Sequence, residues 1–342
     1  MSGKRVGIRD VAKEAGVSIT TVSRALNGYE DVNAETKKRI LDVVERLNYA
    51  PDANARSLGG ISKTTIALLL SGLYKKDDSG FVFGLISGMH KVASENNCEF
   101  IILTTDIQAQ TKTSYLRMCR QKNVNGLLIS GLDMNDPYYH ELMNSEIPCV
   151  VVEGEFSSNN VCGISIDNEM AAYEVVRYLI ELGHKRIAMM NGKSSADVSV
   201  RRQKGYCQAL RNSGIEVDES LICDGNYLEE SAYAQTGILI EQHPDVTAIF
   251  CASDVMAIGV INALNKLGRN VPEDISIVGF DDIPMAAYVT GGLTTVKQSF
   301  YDMGITGAKA LYEMITKGRT YKHIYEPYGF IKRSTTAPPK RA

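Results

Sequence analysis

From residue 66 onward the sequence alternates short apolar runs with amphipathic helical stretches, and it does so twice. The first set contains IALLLS, FIILTT, GLLIS and CVVVE, and the second, after Asp167, contains RIAMMN, LICDG, AIFCAS and SIVGFD. Runs that are apolar throughout indicate strands buried on both faces, as in parallel sheets covered by helices. Two such sets predict two doubly wound α/β lobes with parallel sheets.

The stretches between these runs carry helical periodicity, and the end of the chain returns to both lobes. Helices are expected over 83–95, 113–121, 168–182, 202–212, 231–241, 257–267 and 301–316. Because TTVKQ, the last helix and YGFIKRS cross between lobes, each lobe is discontinuous in sequence. The first lobe is expected at about 64–165 and 295–324, and the second at about 166–294 and 325–342.

The first 50 residues form a different kind of unit, a small all-α head. Apolar side chains at spacings of three and four predict one face of a first helix, formed by Ile8, Val11, Ala12 and Ala15. Gly16 can end that helix, Ser18 can cap a second helix over 19–26, and Asn33 can cap a third that runs to Leu47. Two short helices joined by a three-residue turn are typical of the helix-turn-helix motif.

The second helix has an outward face suited to DNA. Burying Val22 and Leu26 leaves the other side chains clustered towards its N-terminal half, the part that a recognition helix presents to base edges. The guanidinium of Arg24 has the geometry for two hydrogen bonds to guanine O6 and N7. Ile19 and the methyl of Thr20 are suited to apolar contact with a thymine methyl. Short hydrogen-bonding side chains suited to phosphates are Ser18, Thr21, Ser23 and Asn27. Capping or plain solvent exposure is the alternative at any single position.

The stretch IRDVAKEAGVSITTVSRALNG, followed by LNYAPDANARSL, closely resembles the head of the lactose-repressor (LacI/GalR) family of bacterial transcription factors. The resemblance implies a homodimer in which each head reads one half-site of a near-palindromic operator DNA. It also implies a body with the fold of the periplasmic sugar-binding proteins. The expected domains are a DNA-binding head at 1–50, a hinge helix and linker at 51–63, and an effector-binding and dimerisation body at 64–342.

The expected hinge is too short to be helical by itself. Pro51 and the pair Gly59-Gly60 flank a segment, 53–58, of only six residues, which is marginal as an isolated helix in water. In the family this segment is the hinge helix, which pairs with its dimer mate. Leu58 matches the leucine that enters a minor-groove step as an apolar wedge. A flexible linker is the alternative.

Ligands of open α/β sheets lie beyond the carboxyl ends of the strands, where two lobes face each other across a cleft. Ser253, Asp281 and Gln298 follow such strand ends, and Phe81 follows the first strand. The resemblance to sugar-binding members places Arg202, Asp281, Gln298 and Phe300 at effector contacts, with Tyr227 as an aromatic platform. Two departures, Phe81-Val82 in place of two aromatics and Ser253 in place of asparagine, leave the effector unidentified. An ordinary turn at Asp281 and a surface pair at Arg202 are the alternatives.

Composition and motifs argue against other classes of protein. No apolar run is long enough to span a bilayer, and no apolar segment follows the basic start, so a cytoplasmic protein is expected. Seven scattered cysteines without a CxxC pair disfavour disulfides and zinc, and no metal or other cofactor is expected. The phosphate loop GxxxxGK[ST] and the GxSxG elbow are both missing, which disfavours an enzyme.

The charge distribution fits a head that meets an anion. Residues 1–63 carry 11 Lys and Arg against 8 Asp and Glu, while the remaining 279 carry 26 against 32. The sequence therefore predicts a transcriptional regulator, most simply a dimeric repressor, whose operator affinity is controlled by a sugar or sugar derivative. A cytosolic solute-binding module, or a catabolite regulator that responds to a phosphorylated carrier protein, is the alternative.

Overall fold

The computed structural model describes residues 7–26, 29, 31–47, 49, 63–72, 80–156 and 158–340. The chain divides into two compact units, Met1–Thr64 and Thr65–Ala342. The predicted hinge over 53–58, with Leu58, and the predicted phosphate contact Asn27 lie outside the described residues.

The first unit contains three helices, α1 (Ile8–Ala15), α2 (Ile19–Leu26) and α3 (Ala34–Arg46). Their ends follow the local signals in the sequence. Gly16 has the left-handed φ of 65° that ends α1. The Oγ of Ser18 accepts the Thr21 N–H at 3.0 Å, and the Oδ1 of Asn33 accepts the Thr36 N–H at 2.7 Å. Each cap satisfies a backbone donor that the first turn of a helix leaves without a partner.

The core of the first unit lies where the three helices meet. Its buried side chains are Val11, Ala12, Ala15, Val22, Ala25, Ile40, Val43 and Tyr49. The prediction that Val22 and Leu26 lie on the buried side of α2 is confirmed, because Leu26 packs against this core, although it is only half-buried while Ala25 is buried beside Val22. The opposite face of α2 is thereby left exposed.

The second unit is built on two six-stranded sheets. The first has the order β11-β5-β4-β3-β1-β2, from strands β1 (Thr65–Ser71), β2 (Glu99–Thr105), β3 (Gly126–Ser130), β4 (Cys149–Val152), β5 (Val161–Ser165) and β11 (His323–Tyr325). All of its neighbouring strands are parallel. Leu68 and Leu69 point to opposite faces of β1 and are both buried, each in a different apolar cluster. Burial on both faces confirms the doubly wound layout.

The second sheet has the order β12-β10-β9-β8-β6-β7. Its strands are β6 (Ile187–Asn191), β7 (Ile222–Asp224), β8 (Ala248–Cys251), β9 (Ser276–Asp281), β10 (Thr294–Lys297) and β12 (Gly329–Ile331). Only β12 is antiparallel to its neighbour, and the other pairs are parallel. The fold class predicted from the sequence is therefore confirmed.

The helices of the second unit are α4 (Phe81–Glu95), α5 (Ile107–Lys112), α6 (Tyr115–Lys122), α7 (Pro137–Leu142), α8 (Asn168–Glu181), α9 (Asp197–Asn212), α10 (Glu229–Gln242), α11 (Asp254–Lys266) and α12 (Phe300–Lys317). The predicted start of α9 at residue 202 is wrong. The helix begins five residues earlier because the polar stretch before Arg202 contributes Val198 and Ser199 to its buried side.

The chain passes between the two lobes three times, after β5, after β10 and after β11. Strand β10 pairs with β9 of the second sheet, so the return to the first lobe falls at residues 298–299 rather than at the expected 295. Helix α12 then packs on α4 of the first lobe. No helix in the described part of the chain is long and apolar enough to cross a membrane.

Candidate functional site

The outward face of α2 carries the side chains expected to meet DNA. Ser18, Ile19, Thr20 and Arg24 are exposed, and Thr21 and Ser23 are half-buried at the edge of this face. The guanidinium of Arg24 forms an ion pair with Asp31, and its Cζ lies 5.1 Å from the ring centroid of Tyr29. Arg24 is thus held by two residues of the segment between α2 and α3.

A cleft of about 710 Å³ lies between the carboxyl ends of the two sheets. Residues from both lobes line it, and they include six of the seven predicted effector residues: Phe81, Arg202, Tyr227, Ser253, Asp281 and Phe300. The seventh, Gln298, lies beside the cleft and donates from Nε2 to the Oδ1 of Asp281 at 2.7 Å. The structure therefore brings the predicted set together, although these residues are far apart in sequence.

Arg202 lies at the centre of this arrangement with only 2% of its surface exposed. Each of its three side-chain nitrogens donates to the protein: Nε to Asn168 Oδ1 at 2.8 Å, one terminal nitrogen to the Ala252 carbonyl, and the other to Glu153 Oε1 at 3.0 Å. Its Cζ also stands 3.8 Å from the centroid of the Phe280 ring. A buried guanidinium needs these partners because an unpaired buried charge is costly. The alternative of a surface pair with Arg201 is therefore wrong.

Glu153 is a cleft residue that the sequence reasoning missed. It directly follows β4 in the first lobe, and its carboxylate pairs with Arg202 of the second lobe, so the ion pair joins the lobes. It has a left-handed φ of 58°, which is uncommon for a non-glycine residue. The rule that singled out Ser253 and Asp281, a polar residue at a strand end, could have found it. The apolar run CVVVE instead predicts that it ends the strand, which in the structure ends one residue earlier, at Val152.

Asp281 ends β9 with a φ of 116°, a strained conformation for a residue with a Cβ. Burial raises the pKa of its carboxyl well above the ordinary value, against the opposing effect of the nearby Arg202. Gln298 lies between the side chains of Asp281 and Glu153. Its Nε2 donates to Asp281 Oδ1 at 2.7 Å and lies 3.5 Å from Glu153 Oε1. Within the described part of the chain, the buried Oε1 of Gln298 has no hydrogen-bond partner.

The aromatic side chains form two separate platforms. The rings of Phe81 and Phe300, at the starts of α4 and α12, meet edge to face with centroids 4.4 Å apart. This pair, distant in sequence, supplies two aromatic rings at the cleft although Val82 follows Phe81. Across the cleft, the hydroxyls of Tyr227 and Ser199 are 2.8 Å apart, and burial raises the pKa of Tyr227 to about 12.

Ser253 caps a helix as well as lining the cleft, and the residue after it, Asp254, is buried beneath the cleft. The helix cap of α11 is Ser253, whose Oγ accepts the Met256 N–H at 3.2 Å, while Asp254 is the first residue of the helix. The carboxylate of Asp254 is fully buried and accepts the Thr295 hydroxyl at 2.6 Å and the Ile283 N–H at 2.9 Å. Burial raises its pKa to about 7. Asp254 therefore fixes the loop beneath the cleft and does not line it.

The lobes also meet at the rim of the cleft. The Met134 N–H donates to the Ser195 carbonyl at 3.0 Å, and the Ser195 hydroxyl donates to Asp133 Oδ2 at 2.5 Å. An ion pair between Arg201 and Glu155 lies 2.6 Å apart and joins the lobes outside the cleft lining. A molecule that contacts both walls of the cleft would therefore act on the relative position of the lobes.

Comparison with known families accounts for both units. A model described as "Bacterial regulatory proteins, lacI family" matches residues 7–52, and one described as "Periplasmic binding proteins and sugar binding domain of LacI family" matches residues 67–331. The chain belongs to the LacI family. The resemblance seen in the head is thereby confirmed, and the match to the second model extends it over most of the body.

Individual relatives of this LacI-family member match nearly its full length in sequence or in structure. Catabolite control protein A of Priestia megaterium is 34% identical over 313 residues, which cover 91% of this chain and 93% of that protein. The Lac repressor dimer bound to operator and the anti-inducer ONPF has a TM-score of 0.83 at 26% identity, covering 98% of this chain and 100% of that one. The regulator CelR in complex with cellobiose has a TM-score of 0.71 at 30% identity, covering 97% and 100%. These relatives are regulators, which confirms the expectation that the chain is not an enzyme.

Proposed function

We propose that this LacI-family regulator is a cytoplasmic, homodimeric repressor whose affinity for operator DNA is controlled by a sugar or sugar derivative in the interlobe cleft. The observation that carries the proposal is the convergence of the predicted effector residues on one cleft around Arg202, in a chain that also has a helix-turn-helix head. Relatives with this architecture include an operator-bound Lac repressor and a cellobiose complex.

In the proposed complex, α2 lies in the major groove of the operator. Arg24 reads a guanine, while Ile19 and Thr20 contact thymine methyl groups. Phosphate contacts from the hydroxyls of the same face, with Asn27, fix the register. Leu58 enters a minor-groove step from the hinge, and the hinge becomes helical only on DNA, because six residues are too few for an isolated helix.

The effector acts through the relative position of the lobes. Phe81 and Phe300 belong to the first lobe, whereas Arg202, Tyr227 and Asp281 belong to the second, so a ligand between them contacts both. A ligand that binds one lobe arrangement better than the other shifts the population towards it. A coupling of about 1–3 kcal/mol per site would change operator affinity roughly 5- to 150-fold.

Selection of genomic DNA fragments by the purified full chain tests the DNA-binding part of the proposal. We expect recovery of a near-palindromic site at low salt, and we expect Leu58→Ala to weaken binding to it while the melting of the body stays unchanged. Sugars are then screened for release or tightening of that complex. Failure to select any palindrome, with sugars present or absent, would reject a repressor and leave a solute-binding module.

A further inference from the structure

Carboxylates dominate the lining of the cleft. Among the described lining residues, the acidic side chains are Asp106, Asp133, Asp136, Glu153, Asp197 and Asp281, and the bases are Lys193 and Arg202. Glu153 pairs with Arg202, Asp197 pairs with Arg201, and burial raises the pKa of Asp281, so the negative charge of the lining comes from Asp106, Asp133 and Asp136 against Lys193. A concave site lined mainly by one sign of charge repels ligands of the same sign.

The one buried guanidinium of the lining does not offset this balance. The nitrogens of Arg202 already donate to Asn168, Ala252 and Glu153, and the carboxylate of Glu153 neutralises its charge at 3.0 Å. A phosphate or a uronate carboxylate needs charged donors in a fixed geometry to compensate for its lost hydration. Arg202 could provide them only by giving up Glu153, which would leave that half-buried carboxylate without its cationic partner.

We infer that Glu153 sets the charge selectivity of the cleft: by neutralising Arg202 it makes the site accept an uncharged, hydroxyl-rich sugar and reject sugar phosphates and uronates. A hydroxyl group both donates and accepts, so it can bond the carboxyl of Asp281 in either protonation state without bringing a charge. The edge-to-face pair of Phe81 and Phe300 offers the apolar surface that the C–H face of a sugar ring needs. This inference rests on the proposed function, because it assumes that the cleft holds the effector.

Thermal unfolding of the full chain tests the inference with matched ligands. The probes are common uncharged mono- and disaccharides, glucose 6-phosphate, glucuronate and inorganic phosphate, at equal ionic strength. We expect at least one uncharged sugar to raise the midpoint by ~5 °C at a hundredfold excess over its Kd. The anionic probes should leave it unchanged. A response to an anion as large as the response to any uncharged sugar would overturn the inference, and so would the absence of any response to uncharged sugars.

Variants of Glu153 separate its charge from its shape. In Glu153→Gln the side chain keeps its size while Arg202 loses its counter-charge, so we expect the anionic probes to begin raising the midpoint. Glu153→Asp keeps the charge and should still reject them. Glu155→Gln is the control, because Glu155 pairs with Arg201 and does not line the cleft. If the anions have no effect on Glu153→Gln, the residue does not set selectivity.

Operator binding by the same preparations distinguishes the two failures. If the wild-type chain binds its selected operator but no sugar changes its melting, the inference about the cleft is wrong while the DNA-binding part of the proposed function stands. If the chain selects no operator but an uncharged sugar stabilises it, the charge selectivity stands and the repressor function falls.

A second, independent observation concerns the head. The segment that follows α2 places Asp31 in an ion pair with Arg24, with both side chains about half exposed at 51% and 47%. The ring of Tyr29 lies against the guanidinium, and its centroid is 5.1 Å from the Cζ of Arg24. A long arginine side chain samples many rotamers, whereas bidentate recognition of guanine needs the guanidinium in one plane. Two contacts on one flexible side chain restrict that plane before DNA arrives.

We propose that Asp31, supported by Tyr29, is a positioning residue that orients Arg24 for a guanine of the operator, given that Arg24 contacts DNA. The carboxylate also repels phosphates, so it lowers binding to all sequences alike. Asp31 therefore raises discrimination at one base pair at the expense of general affinity.

Competition between the selected operator and the same operator with that guanine replaced tests this role. We expect Asp31→Asn to discriminate several-fold less than the wild-type chain while it binds unrelated DNA more tightly. Arg24→Ala should lose most of the discrimination, a 5- to 150-fold change for one good bidentate contact.

Two further variants keep this test decisive. Asp31→Glu should recover part of the discrimination. Asp42→Asn, which removes an equal charge from an exposed position of α3, should leave it unchanged. Equal losses on both operators with Asp31→Asn, or unaltered discrimination, would reject the positioning role.

Discussion

The head and the body present their functional side chains in opposite ways. In the head they lie on the exposed face of one helix over a small apolar core, and Arg24 is paired with Asp31 in solvent. In the body they enclose a cleft, and Arg202 is paired with Glu153 at 2% and 19% exposure. Exposed ion pairs contribute little to stability, whereas breaking a buried pair leaves a costly charge. The head can therefore vary its recognition residues with little cost in stability, and the body cannot.

The largest expected effect tests the buried pair. Arg202→Met leaves the carboxylate of Glu153 without its partner, so we expect the free energy of unfolding of the body to fall by about 3–5 kcal/mol. Urea unfolding measures it, and Glu153→Gln in the same chain should recover part of the loss. A loss below about 1 kcal/mol, the value for an exposed pair, would remove the contrast with the head.

A pH dependence of the body, which arises from a buried carboxyl, is the next effect in size. Burial raises the pKa of Asp254 from 3.8 to about 7, so between these pH values the folded chain binds a proton that the unfolded chain does not. This contribution to stability is full below pH 3.8, and it falls as the pH rises towards 7 by up to about 1.4 kcal/mol per pH unit. Asp254→Asn should flatten that slope between pH 5 and 7 in urea titrations. An unchanged slope would mean that Asp254 is ionised throughout.

The smallest effect should be restricted to the head. Asn33→Ala removes the side-chain acceptor that caps α3 at 2.7 Å, which costs about 1 kcal/mol in typical helices. Hydrogen exchange of α3 amides in the full chain should show faster exchange, while amides of β1 and β8 keep their wild-type protection. A simultaneous change in those strands would show that the two units do not unfold separately.

The same contrast explains what the sequence could predict. The ends of the head helices depend on Gly16, Ser18 and Asn33, whose effects act within three or four residues and are visible locally. The alternation of apolar runs likewise predicts two doubly wound lobes. The choice of partner strand is not local, which is why β10 was assigned to the wrong lobe.

Some residues of the cleft could be predicted from the sequence and others could not, for a related reason. Resemblance to the family indicated Arg202 and Asp281, and the structure places both in the cleft. Glu153 carries no local signal beyond its position after a strand, because its role depends on Arg202, 49 residues away. Asn168 and Ser199 were missed in the same way, since each acts by bonding a residue of another element.

The three passages between the lobes also fix the order in which the body can be completed during synthesis. Strand β11, at the edge of the first sheet, leaves the ribosome only after every other strand except β12 has been made. The first lobe must therefore wait, with one sheet edge uncovered, while about 150 further residues of nascent chain emerge. Neither lobe can be produced as a contiguous fragment, and a chain that stops short of residue 323 would expose that edge permanently.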